Sequence, residues 1–98
     1  MLAGDVEQKG FRVTGRVQGV YYRVWARGVG EDLGLRGTIR NRGDGSVEAH
    51  VAGSPDAVRA FEDLLWVGPP DAAVESVEVL ESPLELPGDA FEILATAR

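Results

Sequence analysis

The stretch Gly15-Arg16-Val17-Gln18-Gly19-Val20-Tyr21-Tyr22-Arg23 constrains what this chain can become more than any other. Before it, Phe11-Arg12-Val13-Thr14 alternates as a strand does. After it, Val24 to Leu33 reads as a helix. Two glycines bracket Arg16, Val17 and Gln18, and no acid occurs between Gln8 and Glu31. A strand–glycine loop–helix junction leaves several backbone N–H groups pointing one way, because the first helical turn has no internal acceptors for them. Such a concavity binds anions, phosphate above all. Arg16 and Arg23 flank it with permanent positive charge, and a guanidinium fork matches two phosphoryl oxygens at once. The loop is expected to hold a small phosphorylated molecule.

The 98 residues suit one domain, 1–98, with residues 1–9 expected as a frayed lead-in. A chain of this size buries roughly two-thirds of its unfolded surface, so one core needs no staples. The absence of cysteine excludes disulfides, thiolate metal sites and a cysteine nucleophile. Met1–Gly10 carries Asp5 and Glu7 and lacks the long apolar core of a secretory signal. No stretch is long enough to span a membrane. A cytoplasmic monomer without a membrane partner is expected.

The net charge of −6 argues against a nucleic-acid partner. Its distribution matters more. Residues 1–42 hold eight bases and four acids, a balance of +4, and residues 43–98 hold two bases and twelve acids, a balance of −10. A positive pole on an acidic body suits a small anion, though solubility alone would also account for it.

Strand one is read over Phe11–Val17 and helix one over Tyr22–Leu33, with Trp25, Val29 and Leu33 as its buried stripe. Gly28 and Gly30 weaken that helix by about 1 kcal/mol each, so packing must hold it. Gly34 suits the left-handed position after a helix. Strands over Leu35–Arg42 and Ser46–Gly53 flank the hairpin signal Gly43-Asp44-Gly45. In the second of these, Val47, Ala49 and Val51 face the core, and Glu48, His50 and Ala52 are expected on a solvated face. Ser54-Pro55-Asp56 opens helix two, whose stripe is Ala57, Phe61, Leu64 and Leu65, and Gly68-Pro69-Pro70 ends it. Strand four is Val74–Leu80, Ser82–Asp89 is a loop, and Phe91–Ala95 is a last strand. The order βαββαβ with a short extra C-terminal strand is the ferredoxin-like α+β pattern: an antiparallel sheet with two helices on one face. That fold hosts many functions and decides none.

Several residues carry two readings at this point. Arg23 is a surface arginine or an anion ligand; a cation at a helix start opposes the dipole, which asks for a bound anion. Asn41 either starts the turn before Gly43 or does chemistry. Arg16 supplies attraction or structure, and Gln18 is expected to touch solvent only. Tyr21 and Tyr22 read as core or pocket wall, and Trp25 and Trp66 as packing. His50 is the single histidine and makes no zinc set. Asp44-Gly45 is too poor in acids for a calcium loop. No metal and no cofactor are expected. Lys9, Arg36, Arg40 and Arg42 receive no role beyond the field.

Taken together, these residues resemble the acylphosphatase family. Gly15 to Arg23 looks like its phosphate loop. Leu33-Gly34-Leu35, Gly37, Arg40-Asn41 and Asp44-Gly45-Ser46-Val47 look like its second block, and Gly53, Gly68-Pro69, Ala73 and Val77 match weaker signals. The resemblance covers roughly residues 10–96. It implies that Arg23 binds the phosphoryl group with the loop amides of Arg16, Val17, Gln18, Gly19, Val20, Tyr21 and Tyr22. It implies that Asn41 positions the attacking water. The substrate it implies is a small acyl phosphate, cleaved without metal, with inorganic phosphate or sulfate as a product-like ligand. The family often has tryptophan where Thr38 stands, and phenylalanine where Tyr22 stands.

The chemistry fits residues of these types. A carboxylate leaves without a strong general acid, so binding, neutralising and aiming water suffice. The Asn41 amide oxygen accepts from water, and a substrate oxygen takes the proton. The competing class is a non-catalytic anion-binding or regulatory module of the same fold. RNA binding, which shares the topology, would need aromatics on the central strands, and Arg12, Thr14, Glu48 and His50 stand there.

Overall fold

A computed structural model describes residues 5–81, 85, 86 and 88–97. Along them run β1 (Glu7–Arg16), α1 (Tyr22–Asp32), β2 (Arg36–Asn41), β3 (Val47–Gly53), α2 (Pro55–Val67), β4 (Ala73–Leu80) and β5 (Phe91–Ile93). The strands make one sheet in the order β4-β1-β3-β2-β5. The βαββαβ order with its short extra strand is therefore as the sequence predicts. The pairs β1–β3, β1–β4 and β2–β3 are antiparallel. β5 pairs with β2 in parallel, which makes the sheet mixed rather than wholly antiparallel. β4 ends at one edge, and the chain crosses to the other edge before β5 can pair, so it arrives running along β2. Of the loop read over Ser82–Asp89, residues 85, 86, 88 and 89 have no regular structure, and 82–84 and 87 lie outside the described residues.

β1 starts at Glu7, paired with Gly53, so Glu7–Lys9 are strand rather than the frayed lead-in expected over 1–9. Residues 1–4 lie outside the described residues. The correction has a simple cause: β3 runs to Gly53 and supplies backbone partners for the extra residues.

Both helices cover the same face, α1 over β2 and β5, α2 over β4, β1 and β3. The inner line of α1 is Tyr22, Ala26 and Gly30, whereas Trp25, Val29 and Leu33 are only partly buried. The rotation follows from Phe91. A Cβ on Gly30 would lie 2.3 Å from the Phe91 ring, and one on Gly37 would lie 3.1 Å from it. Glycine on both sides lets the ring sit between α1 and β2. Phe11, Phe61 and Phe91 then follow one another at ring spacings of 6.1 and 5.9 Å, joining β1, α2 and β5. Each buried phenylalanine contributes about 2–3 kcal/mol of transfer free energy. α2 begins as its sequence predicts: the Ser54 hydroxyl accepts from the Ala57 N–H at 3.2 Å, with Pro55 and Asp56 in the first turn. Its inner line is Val58, Phe61 and Leu65, and Leu64 is exposed.

The other face of the sheet departs from expectation. Glu48, His50 and Ala52, read as solvated, are 6, 2 and 2 % exposed. β3 is the middle strand, and long side chains from its neighbours fold over it. Arg40 and Arg42 reach Glu48. His50 stands between Gly10 and Thr38 in the register, two small residues that leave room for the imidazole. A Cβ on Gly10 would meet His50 Nδ1 at 2.7 Å.

Gly28 has open space around it, unlike Gly30. Gly28→Ala is expected to stabilise the fold by up to about 1 kcal/mol. Gly30→Ala is expected to destabilise it by about 1–3 kcal/mol through overpacking against Phe91. Denaturant midpoints at unchanged slope check both.

Candidate active site

The passage from the end of β1 into α1 uses left-handed backbone at three residues. Gly15 has φ 118°, Gly19 φ 74° and Tyr21 φ 63°. Gly15 sits at a register shift between β1 and β4, where a Cβ would fall 2.2 Å from the Ala73 carbonyl. A Cβ on Gly19 would meet nothing within 4 Å beyond its chain neighbours among the described residues, so only its φ demands glycine. Tyr21 has a side chain and pays about 1–2 kcal/mol for the same region. Its ring is 81 % exposed, so packing does not hold the conformation.

The consequence is an open helix start. Tyr21 precedes α1 without a side-chain cap, and the first turn holds no acid. The first bond inside the helix runs from the Trp25 N–H to the Tyr21 carbonyl at 3.0 Å. α2, with Ser54 and Asp56, is capped and complemented by the same chain. Two helices of one domain thus start in opposite ways, and the difference leaves unmatched donors and the positive dipole end beside the loop.

Arg23 is partly buried and lines an open cleft of about 380 Å³ with Val17, Gly19, Tyr21, Tyr22 and Val24. The cations of residues 1–42 do not act as one field. Lys9 pairs with Glu62, Arg12 with Asp44 and Glu78, and Arg40 and Arg42 with Glu48. Arg36 donates to the Gly88 carbonyl at 3.2 Å. Among the described residues, Arg16, Arg23 and Arg27 make no ion pair. Pairing elsewhere leaves unpaired cations in the loop and on α1.

Gln18, expected to touch solvent only, ties the loop to the β2–β3 hairpin. Its Nε2 donates to the carbonyls of Arg42 and Ser46, both at 2.9 Å. The two donors of one carboxamide fit two carbonyls that the hairpin brings together, a match only the folded chain creates. The grip falls just after Asn41, the last residue of β2. The Asn41 carboxamide oxygen is buried and has no hydrogen-bond partner among the described residues. A buried acceptor left open is unusual in a native fold and asks for a ligand or water. Asp44 stiffens the turn: its Oδ1 accepts from the Ser46 N–H and hydroxyl at 2.9 and 2.6 Å, and its Oδ2 from Arg12 at 2.8 Å. Those bonds, Ser46's first, hold its carboxyl well below the usual range.

The two tyrosines separate. The Tyr22 hydroxyl donates to the Leu65 carbonyl at 2.6 Å inside the core, and burial pushes its phenol up. Tyr22 can therefore offer the loop only its backbone N–H. Trp25 packs on Tyr22 at 5.5 Å, and Trp66 is half exposed. Arg16 lies on the surface at the end of β1.

The family model for acylphosphatase matches residues 3–93. The chain belongs to the acylphosphatase family. An acylphosphatase of Mesorhizobium japonicum is 51 % identical over 85 residues, covering 86 % of this chain and 89 % of that one. One of Rhizobium meliloti is 53 % identical over 66 residues, 67 % of this chain and 70 % of that one. The crystal structure of the Bacillus subtilis acylphosphatase superposes with a TM-score of 0.83 at 31 % identity, covering 92 % of this chain and 99 % of that chain. This chain is thus an acylphosphatase-type hydrolase, and acyl phosphates are its substrate class.

Behind the acylphosphatase loop lies a charged cluster that the sequence did not single out. Glu48 Oε1 accepts from Arg42 Nη1 at 2.6 Å and from Arg40 Nε and Nη2 at 3.4 Å, while its Oε2 meets His50 Nε2. Burial pushes the Glu48 carboxyl up, but the bonds from His50 and Arg42 and the charges of His50 and Arg40 outweigh it and hold it low. The only signal was alternation, which put Glu48 on the right face and misjudged its cover.

Gln18→Ala is expected to cost about 2 kcal/mol, since two hydrogen bonds go, measured by urea unfolding. A lowered folded-state pKa gives stability that is present above the unfolded carboxylate pKa of about 4.3 and lost as pH falls through the folded one. Stability of the wild type should therefore fall more steeply in acid than that of Glu48→Gln, as measured by unfolding midpoints between pH 7 and 2.5.

Proposed function

We propose that the loop and Arg23 hold the phosphoryl group and that Asn41 aims the water. The phosphoryl oxygens accept from the amides of Arg16 to Tyr22 and from the Arg23 guanidinium, with Arg16 adding attraction. The observation that carries this reading is the open start of α1: an uncapped, acid-free first turn beside an unpaired, half-buried arginine. Arg23 at that position opposes the helix dipole until an anion arrives. The open Asn41 oxygen supports the second role, since it can accept from a water beside the hairpin that Gln18 ties to the loop.

The water oxygen attacks phosphorus in line with the acyl oxygen. The P–O bond to that oxygen breaks, and its electron pair leaves on the carboxylate. A water proton passes to a phosphoryl oxygen, giving carboxylate and dihydrogen phosphate. Asn41 holds the water and takes no proton, because a carboxamide is too weak a base. Positioning and charge neutralisation do the work, which needs no metal. We further infer a cytoplasmic monomer that binds no nucleic acid and takes inorganic phosphate or sulfate at the same cradle.

The test is hydrolysis of benzoyl phosphate in excess EDTA, set against p-nitrophenyl phosphate. Rapid turnover of the first and none of the second is expected. Phosphate binding without turnover would select the non-catalytic module. Arg23→Ala and Asn41→Ala should each lower kcat/KM by roughly 10²–10³ while the chain stays folded by circular dichroism. Full activity in either variant removes its role.

A further inference from the structure

We propose that Glu48 is a positioning residue for Asn41, acting from the face of the sheet that carries no helix. Arg40 and Arg42 flank Asn41 in the chain, and both guanidinium groups converge on the Glu48 carboxylate. Asn41 alternates with them and pairs with Val47 in the register. Holding its two neighbours therefore fixes the end of β2 without touching the carboxamide. This rests on the water-positioning role given to Asn41 above.

The strand end needs such a hold. Regular pairing of β2 stops at Asn41; beyond it the Arg42 N–H donates to the Ser46 carbonyl at 2.8 Å, Arg42 bridges Ala97, and the chain turns away. Strand and helix ends open more readily than interiors. A group that aims water must stay within a fraction of an ångström of its productive position. Gln18 holds the Arg42 carbonyl from the loop side, and Glu48 holds the Arg42 side chain from the opposite face. The clamp has a firm base. Glu48 is 6 % exposed, its second oxygen is engaged by His50, and the His50 ring is seated over Gly10, where any side chain would collide.

The chemistry of the cluster points the same way. Burying a carboxylate with its guanidinium partners gives little net stability, because desolvation offsets the attraction, and apolar residues of similar size usually serve as well. A charged clamp at the middle of the sheet, centred on the two residues beside Asn41, is better accounted for by the placement it enforces than by stability.

A double-mutant cycle tests the assignment. Glu48→Gln is made alone and in Asn41→Ala, and the chemical step is followed in single turnover so that residual rates are measurable. In the wild-type background the rate should fall about tenfold, with KM and the inhibition constant of inorganic phosphate within twofold. In Asn41→Ala the same substitution should change the residual rate less than twofold, because its effect passes through the missing carboxamide. Equal losses in both backgrounds, or an undiminished rate in the first, would overturn the proposal. If Glu48→Gln does not fold, Arg42→Met releases the same grip while Glu48 keeps Arg40 and His50. It should show a smaller loss, about threefold, with the same non-additivity, and additive losses again overturn the proposal. An Asn41→Ala variant with full activity would remove the water-aiming role itself, and the Glu48 assignment with it. An inactive Asn41→Ala with additive losses removes the Glu48 assignment alone.

Discussion

The passage from Gly15 to Tyr21, with its three left-handed residues, is the constraint on which the site depends. A chain leaving β1 must reverse and enter α1 within a few residues. It does so through three positive φ angles, one of them at a tyrosine. That path denies α1 a capping side chain and leaves its first amides unmatched. Strain at Tyr21 and open donors at the helix start are both costs to the fold. They are tolerated because the rest of the domain fixes the two elements on either side.

What fixes them is a division of labour between the faces of one sheet. The helix face is apolar and close-packed, with Phe91 wedged between Gly30 and Gly37. It sets where α1 lies, and so where Arg23 stands. The other face is polar yet buried at its centre, with Glu48 engaged by Arg40, Arg42 and His50. It sets where the end of β2 lies, and so where Asn41 stands. Gln18 joins the two, since it sits in the loop and grips the hairpin. The loop and the Asn41 carboxamide come from separate stretches of chain, and Gln18 ties those stretches together.

Charge pairing sharpens the electrostatics in a way a residue count does not convey. Half of the cations in residues 1–42 are paired with acids, all of them from residues 43–98. The excess charge of the first 42 residues is thereby spent across the fold rather than spread over its surface. Among the described residues, Arg16, Arg23 and Arg27 make no ion pair. An acidic protein can present a local positive site in this way without becoming a general binder of polyanions.

Element order, the glycine loop, the hairpin turn at Asp44-Gly45 and the capped start of α2 were legible along the chain. All of these rest on backbone preferences of nearby residues, or on periodicity within one element. The sequence also carried the family, because the loop and the second block are local motifs. It misjudged the buried line of α1, the start of β1, the solvation of Glu48 and His50, and the partners of Gln18. Each of those depends on what another strand or ring brings alongside: Phe91 from the far end of the chain, Gly53 opposite Glu7, arginines folding over a middle strand, two hairpin carbonyls meeting one amide. Such contacts are set by packing in three dimensions, which no local pattern along the chain encodes.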